Sequence, residues 1–138
     1  MPARHFLDTN ILLYSISRDA QETAKRNRAV ALLERDDGAL SVQVLQEFYV
    51  QATRSTRPDP LPHDIATALI GTWTRFAVQD ITLSILMGAF EIRVSYGLSY
   101  WDSAIVAAAR ALGCRELYSE DMSHGQQIEG VTIVNPFR

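Results

Sequence analysis

A chain of 138 residues, 47% of them hydrophobic, is the size of one ordinary domain with a sizeable core, so residues 1–138 read as a single domain. Its lone cysteine, Cys114, excludes an intramolecular disulfide framework and a multi-cysteine zinc site; no run approaches ~18 apolar residues, and "MPARHFLDTN" lacks the apolar stretch of a secretory leader, so a cytoplasmic protein with no membrane span is expected. The net charge of −3 argues at first sight against a nucleic-acid partner.

In chain order, Arg4 to Leu7 reads as a short buried strand, followed by a helix around Ile11 to Ile16 and a second helix from about Ala20 to Arg35. "DDG" at 36–38 is a turn, and "ALS" at 39–41 a short strand. In "VQVLQEFYVQATR", Leu45, Phe48, Tyr49 and Ala52 recur at i, i+3, i+4 and i+7, the mark of an amphipathic helix. "STRPDPLPHD" at 55–64 holds three of the five prolines and reads as a loop. After it, Ile65, Leu69, Trp73 and Phe76 fall on one helix face.

"VQDI" at 78–81 reads as a strand. Thr82 caps a helix with the stripe Leu83, Leu86, Met87, Phe90 and Val94, which Gly97 stops. Ser99 begins a further helix that runs to Gly113, and "ELYS" at 116–119 and "VTIV" at 131–134 close the chain as strands. Trp73 and Trp101 both read as core. Strands alternating with helices imply parallel pairing with right-handed crossovers, hence a three-layer α/β/α domain around a mainly parallel sheet. Ligands of such sheets bind at the carboxyl ends of the strands, where Asp8 and Asp121 stand.

Each acid also has a plain structural reading. In "FLDTN", Asp8 sits at a strand-to-helix turn, where Asp, Thr and Asn are all favoured caps. Asp102 lies three residues after Ser99, as in a capping box, and an acid in the first turn is favoured by the helix dipole. Asp121 in "SEDMSHG" reads as a turn acid beside Glu120, on the same side of an extended chain as Ser119. Glu47 falls opposite the apolar stripe of its helix, beside Gln43 and Arg54, which periodicity alone reads as a solvent face. The three histidines are scattered, "KRNR" at 25–28 reads as a solvated face, and there is no P-loop, no G-x-G-x-x-G and no G-x-S-x-G.

"FLDTN", "SVQVLQEF", "YWDSAIVAAA" and "LYSEDMSHGQ…VNPF" occur in that order over nearly the whole chain. Together they resemble the PIN-domain ribonucleases, most closely the VapC-type toxins of bacterial toxin–antitoxin pairs. The resemblance implies a PIN-like α/β/α fold and an acidic pocket holding Mg²⁺ or Mn²⁺. It matches Asp8, Glu47, Asp102 and Asp121 to the four acids of the family, with Asn10 and Ser119 as supporting residues, and it overturns the solvent-face reading of Glu47. The expected metal ligands are Asp8, Asp102 and Asp121, with Glu47 holding the attacking water or acting as base. A divalent cation relieves the repulsion among gathered carboxylates and activates water against a phosphodiester. Many members of the family carry a further aspartate where this chain has Ser123, which bears on a second metal.

The resemblance also implies an RNA substrate, an antitoxin that folds over the pocket with a basic side chain, and a homodimer. Without the four acids, 12 acids face 13 bases, all arginine except Lys25, so the net charge is no obstacle to a phosphate-bearing substrate. Arg54 and Arg57, or Arg26 and Arg28, are the candidates for backbone contact. A non-catalytic PIN-like binding module is the rival reading, disfavoured by the complete set of acids. A haloacid-dehalogenase phosphatase would show D-x-D where Asp8-Thr9-Asn10 stands, and a receiver domain would need a late lysine that the chain lacks.

Overall fold

The computed structural model describes residues 4–138; residues 1–3, part of the span read as one domain without a leader, lie outside the described residues. Strand β1 (His5–Leu7) is buried at every position, the pattern of an inner parallel strand covered on both faces. Asp8 ends it and caps α1 (Thr9–Ser15), which begins two residues before the expected Ile11. The helix expected over 20–35 is divided, because Asp19 caps a 3₁₀ turn, Ala20–Glu22, and α2 (Thr23–Glu34) follows.

β2 (Gly38–Ser41) is again wholly buried. A Cβ on Gly38 would lie 3.1 Å from the Phe76 ring, so any larger residue there would press on the ring and glycine lets strand and ring approach closely. Ser41 caps α3 (Val42–Thr53), accepting from Val44 N. The proline-rich connection is shorter than expected, since α4 (His63–Trp73) starts inside it. β3 is Ala77–Gln79 rather than 78–81, and α5 (Leu83–Tyr96) runs from its Thr82 cap to Gly97, whose φ of 71° suits a glycine stop. α6 (Tyr100–Ala111) is capped by Ser99. β4 (Glu116–Tyr118), β5 (Gln127–Ile128) and β6 (Val131–Val134) complete the chain. The two-residue β5 is too short to leave a sequence pattern.

The strands form one sheet in the order β3-β2-β1-β4-β6-β5, parallel except where β5 runs antiparallel to β6. The chain steps outward from β1 through β2 to β3, then returns to place β4 on the other side of β1. With right-handed crossovers, that reversal puts α1–α4 on one face and α5–α6 on the other. It also makes the gap beyond the carboxyl ends of β1 and β4 the topological switch point, where an open sheet binds its ligand. No helix among the described residues is long and apolar enough to cross a membrane.

Three core expectations are corrected. On α5 the buried residues are Ala89 and Ile92, while Leu83, Met87, Phe90 and Val94 are exposed. The cause is the close approach of α6, seen where a Cβ on Gly88 would meet that of Ala107 at 3.8 Å, so that face carries small residues. Trp101 is 63% exposed, unlike Trp73, which packs edge-on against Phe48 with centroids 4.8 Å apart. Ile65 is exposed too; α4 instead buries Ala66 and Trp73.

Candidate active site

The end of β1 delivers Asp8 into the sheet's crevice, and backbone geometry turns its carboxylate inward. Oδ1 accepts from Thr9 N at 2.7 Å, so the residue does cap α1. Oδ2 accepts from the Ser119 hydroxyl at 2.7 Å, which ties β1 to the residue just past β4. Asp8 is only 4% exposed. Burial, reinforced by the charges of Glu47 and Asp102, raises its pKa to about 6 although the Ser119 and Thr9 hydrogen bonds pull it down.

Ser119 also accepts from Asp121 N at 3.1 Å, and it is itself wholly buried. Asn10, in the first turn of α1, donates to Asp121 Oδ2 at 3.2 Å and lies 3.5 Å from Asp8 Oδ2. Its Oδ1 accepts from Glu120 N at 3.3 Å. The two residues expected to support the acids therefore link the first and fourth of them. Glu120 is set apart by its partner: burial alone would raise its carboxyl, yet the Lys25 ammonium and the Tyr14 hydroxyl hold it below the ordinary carboxylate range.

Glu47 projects from the polar side of α3, and that side faces the crevice rather than open solvent. Thr9 Oγ1 donates to its Oε1 at 2.6 Å, and Gln43, one helical turn earlier, donates to its Oε2 at 3.3 Å. Sequence reasoning assigns no role here to Thr9 or Gln43; the i, i+4 spacing of Gln43 and Glu47 was the available signal. Gln43 also reaches the Trp101 carbonyl at 3.3 Å, joining α3 to the start of α6. From α6 comes Asp102, whose backbone N–H is capped by Ser99 at 3.1 Å. Its carboxyl is raised by burial first, then by the charges of Asp121 and Glu47.

Asp8, Asn10, Glu47, Asp102 and Asp121 line one cleft of about 440 Å³, with Arg57 and Gln51 also on its wall. Among the described residues, none of the four acids forms an ion pair with a base. Nor do any three His, Cys, Asp or Glu side chains among them stand close enough together to make a finished metal cage. The donor set is nevertheless all oxygen, anionic and mutually repelling, and its innermost member is buried without a countercharge. Those features suit a hard divalent cation, which keeps several waters and needs only a few direct carboxylate ligands.

A family model described as the PIN domain matches residues 5–124. The chain is similar to a toxin–antitoxin complex from Klebsiella pneumoniae, with TM-score 0.71 and 22% identity, covering 96% of this chain and 97% of that one. It is similar also to VapC20 of Mycobacterium tuberculosis, a sarcin–ricin loop cleaving toxin (TM-score 0.66, 23% identity, 85% and 89% covered). A DNA-bound VapBC from Salmonella typhimurium matches with TM-score 0.65 and 20% identity over 95% and 96% of the two chains. At these identities the likeness is one of fold. No curated protein sequence matches.

Proposed function

The chain belongs to the PIN-domain family, and on that premise we propose that it is a single-domain, metal-dependent endoribonuclease, the toxin of a toxin–antitoxin pair. One observation carries the reading. Four carboxylates from four separate segments line a single cleft at the topological switch point, and no base among the described residues neutralises them. The solved toxins of like fold, one of them an RNA-cleaving toxin by description, support the substrate class.

Asp8, Asp102 and Asp121 are the residues that would hold Mg²⁺ or Mn²⁺. Bound there, the cation would supply Lewis acidity, lowering the pKa of water and offsetting charge on the phosphate and the leaving oxygen. The protein's own residues do the rest. Glu47, oriented by Thr9 and Gln43, holds the attacking water and takes its proton. The water oxygen bonds to phosphorus, the opposite P–O ester bond breaks, and the leaving oxygen gains a proton from solvent. Asn10 and Ser119 fix Asp8 and Asp121 in relation to each other.

Two partners complete the proposal. A basic antitoxin segment, folding as it binds, covers the cleft and offsets its charge; the toxin–antitoxin assembly of like fold supports it. A second copy of the chain meets the exposed apolar stripe of α5, because a stripe at Leu83, Met87, Phe90 and Val94 can lie against its own symmetry mate. The cytoplasm, where RNA is the abundant phosphodiester, is the proposed compartment.

The test is cleavage of total cellular RNA by wild type and by Asp8→Asn, each with Mg²⁺, Mn²⁺ or EDTA. Discrete cuts that need the metal and disappear in the variant are the expected result. If wild type cuts nothing under any condition and calorimetry detects no metal binding, the non-catalytic binding module replaces this reading.

A further inference from the structure

Arg57 lines the acidic cleft, yet among the described residues its side chain makes no ion pair with any of the acids around it. Its Nε is buried and has no hydrogen-bond partner. Three arginines elsewhere in the chain are tied to its own groups. Arg35 forks onto Asp37, Arg75 bonds the carbonyls of Thr72 and Leu33, and Arg93 bonds that of Leu98. Because Nε is sealed off, it is the terminal nitrogens of the guanidinium, on the cleft wall and without a recorded bond among the described residues, that are placed for a group outside the chain.

The loop that carries Arg57 is built to hold it still. Arg57 N donates to Arg54 O at 3.1 Å, and Leu61 N returns to Ala52 O at 2.8 Å, closing the loop onto the end of α3. Pro58, Pro60 and Pro62 fix three φ angles in the same stretch. Position also matters. Gln43, Glu47 and Gln51 follow one another at i, i+4 and i+8 along α3, so the wall of the cleft continues past Glu47 and Gln51 toward Arg57. Arg57 and the four acids stand on the wall of one cleft.

From this we infer that Arg57 binds a backbone phosphate of the RNA strand next to the scissile one. The planar fork of a guanidinium fits two phosphate oxygens. A strand whose phosphates approach four carboxylates also needs a fixed positive group to draw it in. Arg57 is thus a substrate-binding residue that sets where the strand lies along α3. The inference rests on the nuclease reading above.

The experiment compares wild type, Arg57→Lys and Arg57→Ala on a mixed-sequence single-stranded RNA oligonucleotide. It measures kcat and KM with Mg²⁺, binding in EDTA against salt concentration, and the melting temperature. Arg57→Ala should raise KM about 10- to 100-fold with little change in kcat, the range for a lost hydrogen bond to a charged group. It should also flatten the slope of log affinity against log salt by about 0.7, one phosphate contact on a single strand. Arg57→Lys should fall between the two, and neither variant should melt below wild type. If wild type cuts RNA and Arg57→Ala matches it in KM and salt slope, the inference is overturned while the nuclease reading stands. A drop confined to kcat, or a lowered melting temperature with an unchanged salt slope, overturns it as well. A wild type that neither binds nor cuts RNA removes the reading on which it rests.

Discussion

The crevice beyond β1 and β4 and the outer side of α5 depart from the usual partition of residues in opposite ways. In the crevice a carboxylate is 4% exposed, with two further acids near enough to raise its pKa. On α5, Leu83 is 73% and Val94 86% exposed along one stripe. Burying charge without a countercharge is costly, and so is leaving a contiguous apolar surface in water. Each region is therefore incomplete within the single chain, and the proposed function supplies each with a partner of the chemistry it lacks: positive charge at the crevice, apolar surface at α5. Sites of this kind show where a fold has kept local instability in exchange for binding.

The largest expected effect comes from relieving the buried charge. Asp8→Asn should bring RNA cleavage to background and yet stabilise the metal-free protein at pH 8. The sign follows from the raised carboxyl. The folded state holds its proton up to about pH 6, while an unfolded aspartate releases it near pH ~4, so stability present below about pH 4 is lost as pH rises through about 6. A carboxyl displaced that far changes stability by at most ~3 kcal/mol. Melting curves in EDTA from pH 4 to 8 should fall for wild type and stay flatter for Asp8→Asn, with Mg²⁺ restoring wild type by binding the native state alone. A wild-type curve that rises across that range would show that the crevice does not resist ionisation of Asp8, and the contrast with α5 would collapse.

At α5 the matching break is the double variant Leu83→Glu with Val94→Glu. The wild-type chain should run as a dimer and the variant at the 15.4 kDa of one chain, by light scattering after size exclusion. Because both side chains are largely exposed, monomer stability should change by no more than about 0.5 kcal/mol. A wild type that is already monomeric at tens of micromolar would leave the stripe without a second copy to cover it.

These two regions also show where sequence reading works and where it stops. Asp8, Asp102 and Asp121 could be placed because position in an alternating β/α pattern determines which end of the sheet a residue reaches. The capping reading of Asp8 is real as well, since it bonds the start of α1 while lining the crevice, and the cap of α6 is Ser99, which bonds the backbone N–H of Asp102. Glu47 escaped periodicity because a polar helix face looks the same whether it fronts solvent or an acidic cleft. The α5 stripe misled for the mirror reason, since an apolar face reads alike whether it packs on the core or on another chain. Trp101 shares that ambiguity. Amphipathic pattern records polarity along a helix and is silent about what stands opposite. Thr9 was out of reach because the tertiary fold alone brings it to Glu47, whereas Gln43 stands one helical turn from that partner and was legible from its spacing.

The smallest effect lies at the edge of the crevice, where one acid is already neutralised. Lys25 of α2 pairs with Glu120 and sits over the Tyr14 ring, 4.9 Å from its centroid. Lys25→Met keeps most of the apolar stem against Tyr14 and removes the charge. The pair is partly solvent-exposed, so stability should change by less than about 1 kcal/mol. Its electrostatic effect should be larger than its structural one: Glu120 becomes another unpaired carboxylate on the cleft wall. Calorimetry should then show Mn²⁺ binding tightened by up to about fivefold, the value of one added charge near water, with RNA affinity lowered by a similar factor. Weakened Mn²⁺ binding would mean instead that Lys25 acts by anchoring the segment that carries Asp121. The boundary of the unneutralised region would then be drawn by loop position, through the Glu120 N–H bond to Asn10, and not by charge.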